Sequence, residues 1–206
     1  EPSRRRDTYA TTLYEHGKRF AGPASSLAVD MRQKALDGVD RSTDGLFWAH
    51  LQNNLGIALD TLGVRETNND RLEQAITAYS EALKERTRDR VPMEWASTHN
   101  NLGNALSILG RRDSDCARLE QAELAYNEAL KEHTRELMPM AWAETHFNIA
   151  LLSMAFFEKN ADAYHLDQAE VYAKGSQEVY VEAQAGFYIE ECEKLLAEIQ
   201  AKRDAL

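Results

Sequence analysis

The sequence predicts an all-α protein made of stacked helix pairs, and three observations support this fold class. Trp48, Trp95 and Trp142 recur at intervals of 47 residues. The 47-residue segments that begin at Trp48 and Trp95 are identical at 27 positions, and a fixed period in this range is typical of stacked-repeat proteins. Apolar residues recur at steps of three and four, and no Asn-Gly or Asp-Gly pair joins two alternating apolar runs. We therefore expect one helical-repeat domain over residues 1–206.

The first part of the chain, residues 1–43, predicts a partial and divergent leading repeat. An apolar pattern over residues 1–20 indicates one helix, and Gly22-Pro23 interrupts it. Because proline suits the first turn of a helix, residues 24–37 predict a second helix.

Three full repeats follow, and each predicts a pair of amphipathic helices. In the first repeat, Gly63 predicts the end of the first helix. The second helix is expected to begin at Leu72 and to continue to Val91, because a residue that precedes a proline is disfavoured in a helix. The third repeat keeps the period but departs from the residue pattern of the other two. The repeats span residues 44–94, 95–141 and 142–186.

The last segment, residues 187–206, predicts a capping helix. Its apolar residues share one face of the helix, and Glu and Lys residues occupy the rest. A terminal repeat needs one polar face, because no neighbouring repeat covers it. The alternative is a helix through which two copies of the chain associate. The apolar face consists of Ile189, Cys192, Leu195, Leu196 and Ile199.

The composition argues against several classes of function. The net charge is −10, from 34 acidic and 24 basic residues, and nucleic-acid binding depends on the neutralisation of phosphates by basic residues. No run of 18 apolar residues is present, so no membrane span is predicted. Cys116 and Cys192 show neither metal-ligand spacing nor a disulfide framework, which favours a reducing, cytoplasmic location. We expect no cofactor and no metal.

The two central repeats resemble the tetratricopeptide (TPR) family. In that family a Leu-Gly pair in the first helix is followed by an alanine, an aromatic residue four positions on, and a further alanine. The third repeat matches only in part, and the period of 47 exceeds the 34 of the family. The longer repeats of the kinesin light chain and of Pins-type adaptors are more similar to the repeats of this sequence. The matching residues are Leu55-Gly56 with Ala75, Tyr79 and Ala82, and Leu102-Gly103 with Ala122, Tyr126 and Ala129.

This resemblance implies a right-handed superhelical solenoid of antiparallel helix pairs with a C-terminal capping helix. It also implies a noncatalytic scaffold that binds a peptide or helix of a partner protein in a concave groove. Two alternatives remain open. The chain could be the regulatory or sensor segment of a larger signalling or effector enzyme, or it could be an oligomerisation module.

Asparagines at equivalent positions of the first helices are the candidate peptide-binding residues. Asparagine is disfavoured inside a helix, so its recurrence needs a cause. One interpretation is a ladder of amides that lines the groove and bonds a peptide backbone, since an amide offers both a donor and an acceptor. The other is that the amides tie neighbouring helices together. The candidates are Asn53, Asn54, Asn100, Asn101, Asn104 and Asn148.

No catalytic constellation is recognised in the sequence, so the chain is not expected to be an enzyme. It contains neither a Gly-rich phosphate loop nor a nucleophile-and-base signature. Asp113 lies in a predicted loop that lacks the glycine and the distal glutamate of a calcium site. His99 and His146 occupy equivalent positions of successive repeats, about 10 Å apart and too far for shared metal ligation. We expect them to be polar surface residues and the three tryptophans to be core residues.

Overall fold

A computed structural model of the protein describes residues 2–20, 24–66, 69–113 and 116–206. Within these ranges the chain forms nine α-helices and no β-strand, so the predicted all-α fold class is confirmed. The predicted break at Gly22-Pro23 lies outside the described residues. The helices are α1 (Pro2–Phe20), α2 (Ala24–Leu36), α3 (Gly45–Arg65), α4 (Asn69–Leu83), α5 (Pro92–Arg112), α6 (Ala117–Ala129), α7 (Pro139–Asn160), α8 (Ala163–Glu182) and α9 (Gly186–Asp204).

Local signals in the sequence set the starts of three helices. The Asp44 carboxylate accepts a hydrogen bond from the backbone N–H of Phe47 at 3.4 Å and so caps the first turn of α3. Helices α5 and α7 begin at Pro92 and Pro139. A proline at this position sacrifices no helical hydrogen bond, because the first N–H groups of a helix have no partner within it.

The chain divides into two compact units, and the division falls within α5, between Ala105 and Leu106. In the first unit, α1 contacts α2, α2 contacts α3 and α3 contacts α4. In the second unit, α6 contacts α7, while α8 contacts both α7 and α9. The helical-repeat character of the chain follows from these successive pairs, and the assignment of residues 1–206 to one domain stays a prediction.

Helices α3 and α4 are antiparallel, and small residues bring them close together. Gly63, near the end of α3, faces Leu72 near the start of α4, whereas Gly56 faces Tyr79 further along α4. A Cβ atom placed on Gly56 would lie 2.5 Å from Cε1 of Tyr79, whose ring is buried. The large ring therefore fits only because residue 56 has no side chain.

The third repeat solves the same packing problem with different residues. Ala150 and Ala173 stand two repeat periods on from Gly56 and Tyr79, and both alanines belong to the core between α7 and α8. Two alanines therefore take the places of a glycine and a tyrosine. This exchange accounts for the mismatch of the third repeat at these two positions.

Helix α4 ends at Leu83, so the prediction that it continues to Val91 is wrong. The intervening residues form successive turns, as in the hydrogen bond from the Glu85 N–H to the Ala82 carbonyl. The side chain of Arg86 is buried there and donates from Nη1 to Oγ1 of Thr98 at 2.9 Å. This buried bond to α5 competes successfully with continuation of the helix.

The last helix, α9, packs its apolar face onto α7 and α8. Cys192, Leu195 and Ile199 are buried, and their clusters contain residues of both neighbouring helices. This agrees with the apolar face predicted for residues 187–206. Val171 remains 65% exposed with α9 in place, so the capping helix does not cover it. No helix within the described residues is both long and apolar enough to cross a membrane.

Candidate partner-binding site

The six candidate amides lie on the first helices of their pairs and differ in exposure. Asn53 and Asn100 are buried, with only 7% and 4% of their surfaces exposed. A buried amide is closed to an incoming peptide, whereas a half-buried amide keeps an accessible edge. The assignment of the six amides to peptide binding stays a prediction, and their exposure favours the half-buried ones as the residues that would contact a peptide. These are Asn54, Asn101, Asn104 and Asn148.

One of these amides ties two helices of the first unit together. Nδ2 of Asn101 on α5 donates to Oδ1 of Asn53 on α3 at 3.3 Å. Asn53 thus has a structural partner inside the protein. This contact supports the interpretation of the asparagines as ties between helices for this pair.

Asn54 belongs to a polar cluster between α1, α2 and α3 that the sequence analysis missed. Its Nδ2 lies 2.9 Å from Nε2 of His50 and 3.4 Å from Oδ1 of Asp7. The same carboxylate contacts His50 at 3.1 Å and the buried Arg32 at 3.8 Å. Burial raises the pKa of Asp7, but the hydrogen bonds from His50 and Asn54 and the charges of His50 and Arg32 outweigh it, so the pKa lies below its ordinary value.

A signal for this cluster is present in the sequence. Asp7 occupies the same helical face as Ala10 and Tyr14, and Arg32 occupies the same face as Ala28 and Leu36; all are buried. Opposite charges within two apolar stripes that must face one another predict a buried pair.

The two histidines at equivalent positions of successive repeats, His99 and His146, pack on tryptophans one helical turn earlier. The ring centroids of Trp95 and His99 are 4.6 Å apart, and those of Trp142 and His146 are 3.7 Å apart. Nδ1 of His146 donates to the carbonyl of Trp142 at 3.1 Å. These histidines were predicted to be polar surface residues; both are half-buried, so they lie at the surface only in part. Burial lowers the pKa of His146 to about 4.

Acidification is expected to destabilise the fold through His146. An unfolded histidine titrates near pH 6.5, so between pH 6.5 and about pH 4 the unfolded chain binds the extra proton and the folded chain does not. Stability should therefore fall as pH falls through this window, by about 2 kcal/mol for this half-buried group. Urea unfolding at several pH values would measure the loss. The His146→Gln variant removes the titrating group, so an unchanged pH dependence in that variant would contradict the assignment.

Arginines in the connections before the first helices stack on the tryptophans. The guanidinium carbon of Arg41 lies 4.6 Å from the centroid of Trp48, and Nε of Arg41 donates to Glu85 at 2.8 Å. In the second unit the guanidinium carbon of Arg135 lies 5.7 Å from the Trp142 centroid. Its two terminal nitrogens donate to carboxylates of α8, at 3.0 and 2.8 Å. The tryptophans were predicted to be core residues, but Trp48 and Trp142 are only half-buried. Around each of them an arginine contacts one ring and two carboxylates, which for Arg41 are Glu81 and Glu85.

The described residues contain no group of three or more His, Cys, Asp or Glu side chains placed to hold a metal ion. Cys192 is buried, and burial raises the pKa of its thiol to about 11, which keeps it protonated.

Comparisons with known proteins give little beyond this geometry. No protein-family model and no curated protein sequence matches the chain. Among solved structures, the crystal structure of BtubC (BKLC) from P. vanneervenii is similar, with a TM-score of 0.38 and 19% sequence identity. The match covers 100% of this chain and 94% of that chain. At this score and identity the likeness supports no inference about function.

Proposed function

We propose that this chain is a noncatalytic interaction scaffold of the TPR type, which holds a peptide or a helix of a partner protein. The observation that carries the proposal is the recurrence of a half-buried amide at one register position of successive first helices. Asn54, Asn101 and Asn148 are each separated by 47 residues, on α3, α5 and α7. Each offers a donor and an acceptor, as the backbone of a bound peptide requires.

The burial of the amides divides them by role. Asn53 and Asn100 are buried and would maintain the fold. Asn54 and Asn101 each make a bond within the first unit, to His50 and to Asn53, and their exposed edges would add a contact to a partner. Among the six, Asn104 and Asn148 are the best residues for a test of binding, because they are half-buried and lie on α5 and α7, whereas α1, α2 and α3 form the Asp7 cluster.

Selection from a peptide library tests this function directly. A phage-displayed library of random peptides would be panned on the intact chain, and the affinity of a selected peptide would be measured by calorimetry. Asn104→Ala and Asn148→Ala should each weaken binding about 5- to 30-fold, which corresponds to about 1–2 kcal/mol for the loss of a hydrogen bond.

The matched control is Asn127→Ala, because Asn127 is an exposed asparagine on α6, the second helix of its pair. This change should leave the affinity unaltered. Failure to select any peptide, or equal losses in all three variants, would count against the proposed function.

A further inference from the structure

The second unit contains an open pocket between α6, α7 and α8, with a volume of about 350 Å³. Its floor is apolar and includes Ile149, Leu152 and Phe156 from α7. Aromatic side chains of α8 form one wall, and Glu120 and Glu123 of α6 stand on the other side. The pocket therefore combines aromatic rings with negative charge. The aromatic side chains of α8 are Tyr164, His165 and Tyr172.

The rings of this pocket are specific to the third repeat. The central repeats carry no aromatic residue at the equivalent positions, which lie 47 and 94 residues earlier. Tyr172 replaces an alanine, and His165 replaces an arginine. The departure of the third repeat from the common pattern is thus concentrated on one cavity. The replaced residues of the second repeat are Leu109 for Phe156, Ala117 for Tyr164, Arg118 for His165 and Ala125 for Tyr172.

Three aromatic rings of the pocket contact one another. The rings of Phe156 and His165 are stacked with centroids 5.1 Å apart, and Tyr164 meets His165 edge-on at 5.6 Å. Nδ2 of Asn160 lies 3.2 Å from Nε2 of His165, which fixes the imidazole in this wall. Ring faces of this kind attract cations, and most strongly a planar guanidinium that stacks on them.

The two carboxylates beside this wall lack a cation among the described residues. No lysine or arginine lines the pocket, and no ion pair within 4.0 Å joins Glu120 or Glu123 to any described basic residue. Neighbouring acidic residues differ in this respect, since Glu128 pairs with Lys131, and Glu170 pairs with Lys174 and Arg203. Glu123 and Tyr172 line the same pocket, and burial, followed by the charge of Glu123, raises the pKa of Tyr172. The pocket therefore presents two carboxylates that have no ion-pair partner among the described residues.

The protein itself shows how such an arrangement is completed. Arg135 stacks on Trp142 and bonds Glu178 and Glu182, one helical turn apart on α8. In the first unit Arg41 stacks on Trp48 and pairs with Glu81 on α4 and with Glu85, which follows α4. In both places an arginine contacts one aromatic face and two carboxylates four residues apart in the sequence. Glu120 and Glu123 are likewise one turn apart on one helix, opposite aromatic rings.

We propose that this pocket binds an arginine side chain of a basic segment of a partner protein. The guanidinium would stack on the aromatic wall formed by Tyr164, His165 and Tyr172 and would donate to Glu120 and Glu123. The net charge of −10 favours the approach of such a segment. The inference deepens the proposed function, on which it rests in taking a protein as the partner, but it uses residues other than the asparagines.

The arginine site can be tested with a small probe that needs no knowledge of the partner. N-acetyl-arginine N-methylamide would be titrated into the intact, isotopically labelled chain, and NMR would follow the ring signals of Tyr164 and Tyr172. We expect saturable shifts at these rings. The citrulline analogue, which has the same shape without the charge, should produce none. The lysine analogue should bind more weakly, because an ammonium group cannot stack as a planar guanidinium does.

Matched variants separate the site from general attraction by the acidic surface. The double variant Glu120→Gln with Glu123→Gln should weaken binding about tenfold. Both residues are exposed, so the fold should persist. Glu73→Gln is the control, because Glu73 is the equivalent of Glu120 one repeat earlier and lines a similar groove that has no aromatic wall. It should leave binding unchanged.

Three results would overturn the proposal: no saturable shift at the two tyrosines, equal binding of the lysine or citrulline analogue, or an equal loss in Glu73→Gln. These results are distinguishable from failure of the proposed function. A chain that binds the arginine probe but selects no peptide would contradict the scaffold alone, and a chain that selects peptides without arginine would contradict the arginine site alone.

Discussion

Deletion of residues 187–206 should cost on the order of 5 kcal/mol of unfolding free energy or leave the chain prone to aggregation. The deletion removes the buried side chains of Cys192, Leu195 and Ile199. It also uncovers the apolar residues of α7 and α8 that pack against them, among them Ala169 and Ala173. Urea unfolding, with size-exclusion chromatography for the aggregated fraction, would measure both effects.

The control for this deletion is the removal of residues 205–206 only. These residues follow α9 and are exposed, so their loss should change the free energy of unfolding by no more than about 0.5 kcal/mol. If the longer truncation stays monomeric and as stable as the full chain, α9 is an appendage and not a cap.

Gly56→Ala should destabilise the protein by about 3 kcal/mol, although alanine is the better helix former. The added methyl group would lie 2.5 Å from Cε1 and 2.8 Å from Cδ1 of Tyr79. The tyrosine ring cannot move aside, because it is 1% exposed and packed in the core of the first unit. Thermal or urea unfolding of the purified variant would measure the change.

Gly186→Ala provides the matched control for this substitution. A Cβ atom at Gly186 would meet no atom within 4 Å, and its backbone φ is not positive. The stability of the Gly186→Ala variant should be unchanged or slightly raised, since alanine favours the helix. Equal destabilisation by the two substitutions would show that the close approach of α3 and α4 is not what requires glycine at position 56.

The sequence predicted the helical repeat because its period and its small residues report directly on helix packing. The exchange of Gly56 and Tyr79 for Ala150 and Ala173 was not predicted, because it depends on which side chains face each other across two helices. The early end of α4 was missed for a similar reason. The helix gives way to a buried bond between Arg86 and Thr98, and the sequence shows Arg86 only as a favourable charge near a helix end.

The candidate site was less accessible to sequence reasoning. The spacing of the asparagines identified the register position but not the exposure, which separates the buried Asn53 and Asn100 from the half-buried amides. The pocket lined by Tyr172 and His165 was not predicted, because the third repeat was recognised only as a departure from the residue pattern of the other two. Its substitutions are widely separated in the sequence, and only the packing of α6, α7 and α8 brings them together.

The most direct test of the interaction scaffold measures stability and affinity on the same two variants. Asn53→Ala should lower the free energy of unfolding by about 1–3 kcal/mol, because it removes a buried amide and the acceptor for Asn101. It should leave the affinity of the folded chain for a selected peptide unchanged. Asn148→Ala should do the reverse, with a 5- to 30-fold loss of affinity, equal to about 1–2 kcal/mol, and nearly unchanged stability. If both variants lose stability and neither loses affinity, the asparagines only tie helices together and the proposed binding surface is wrong.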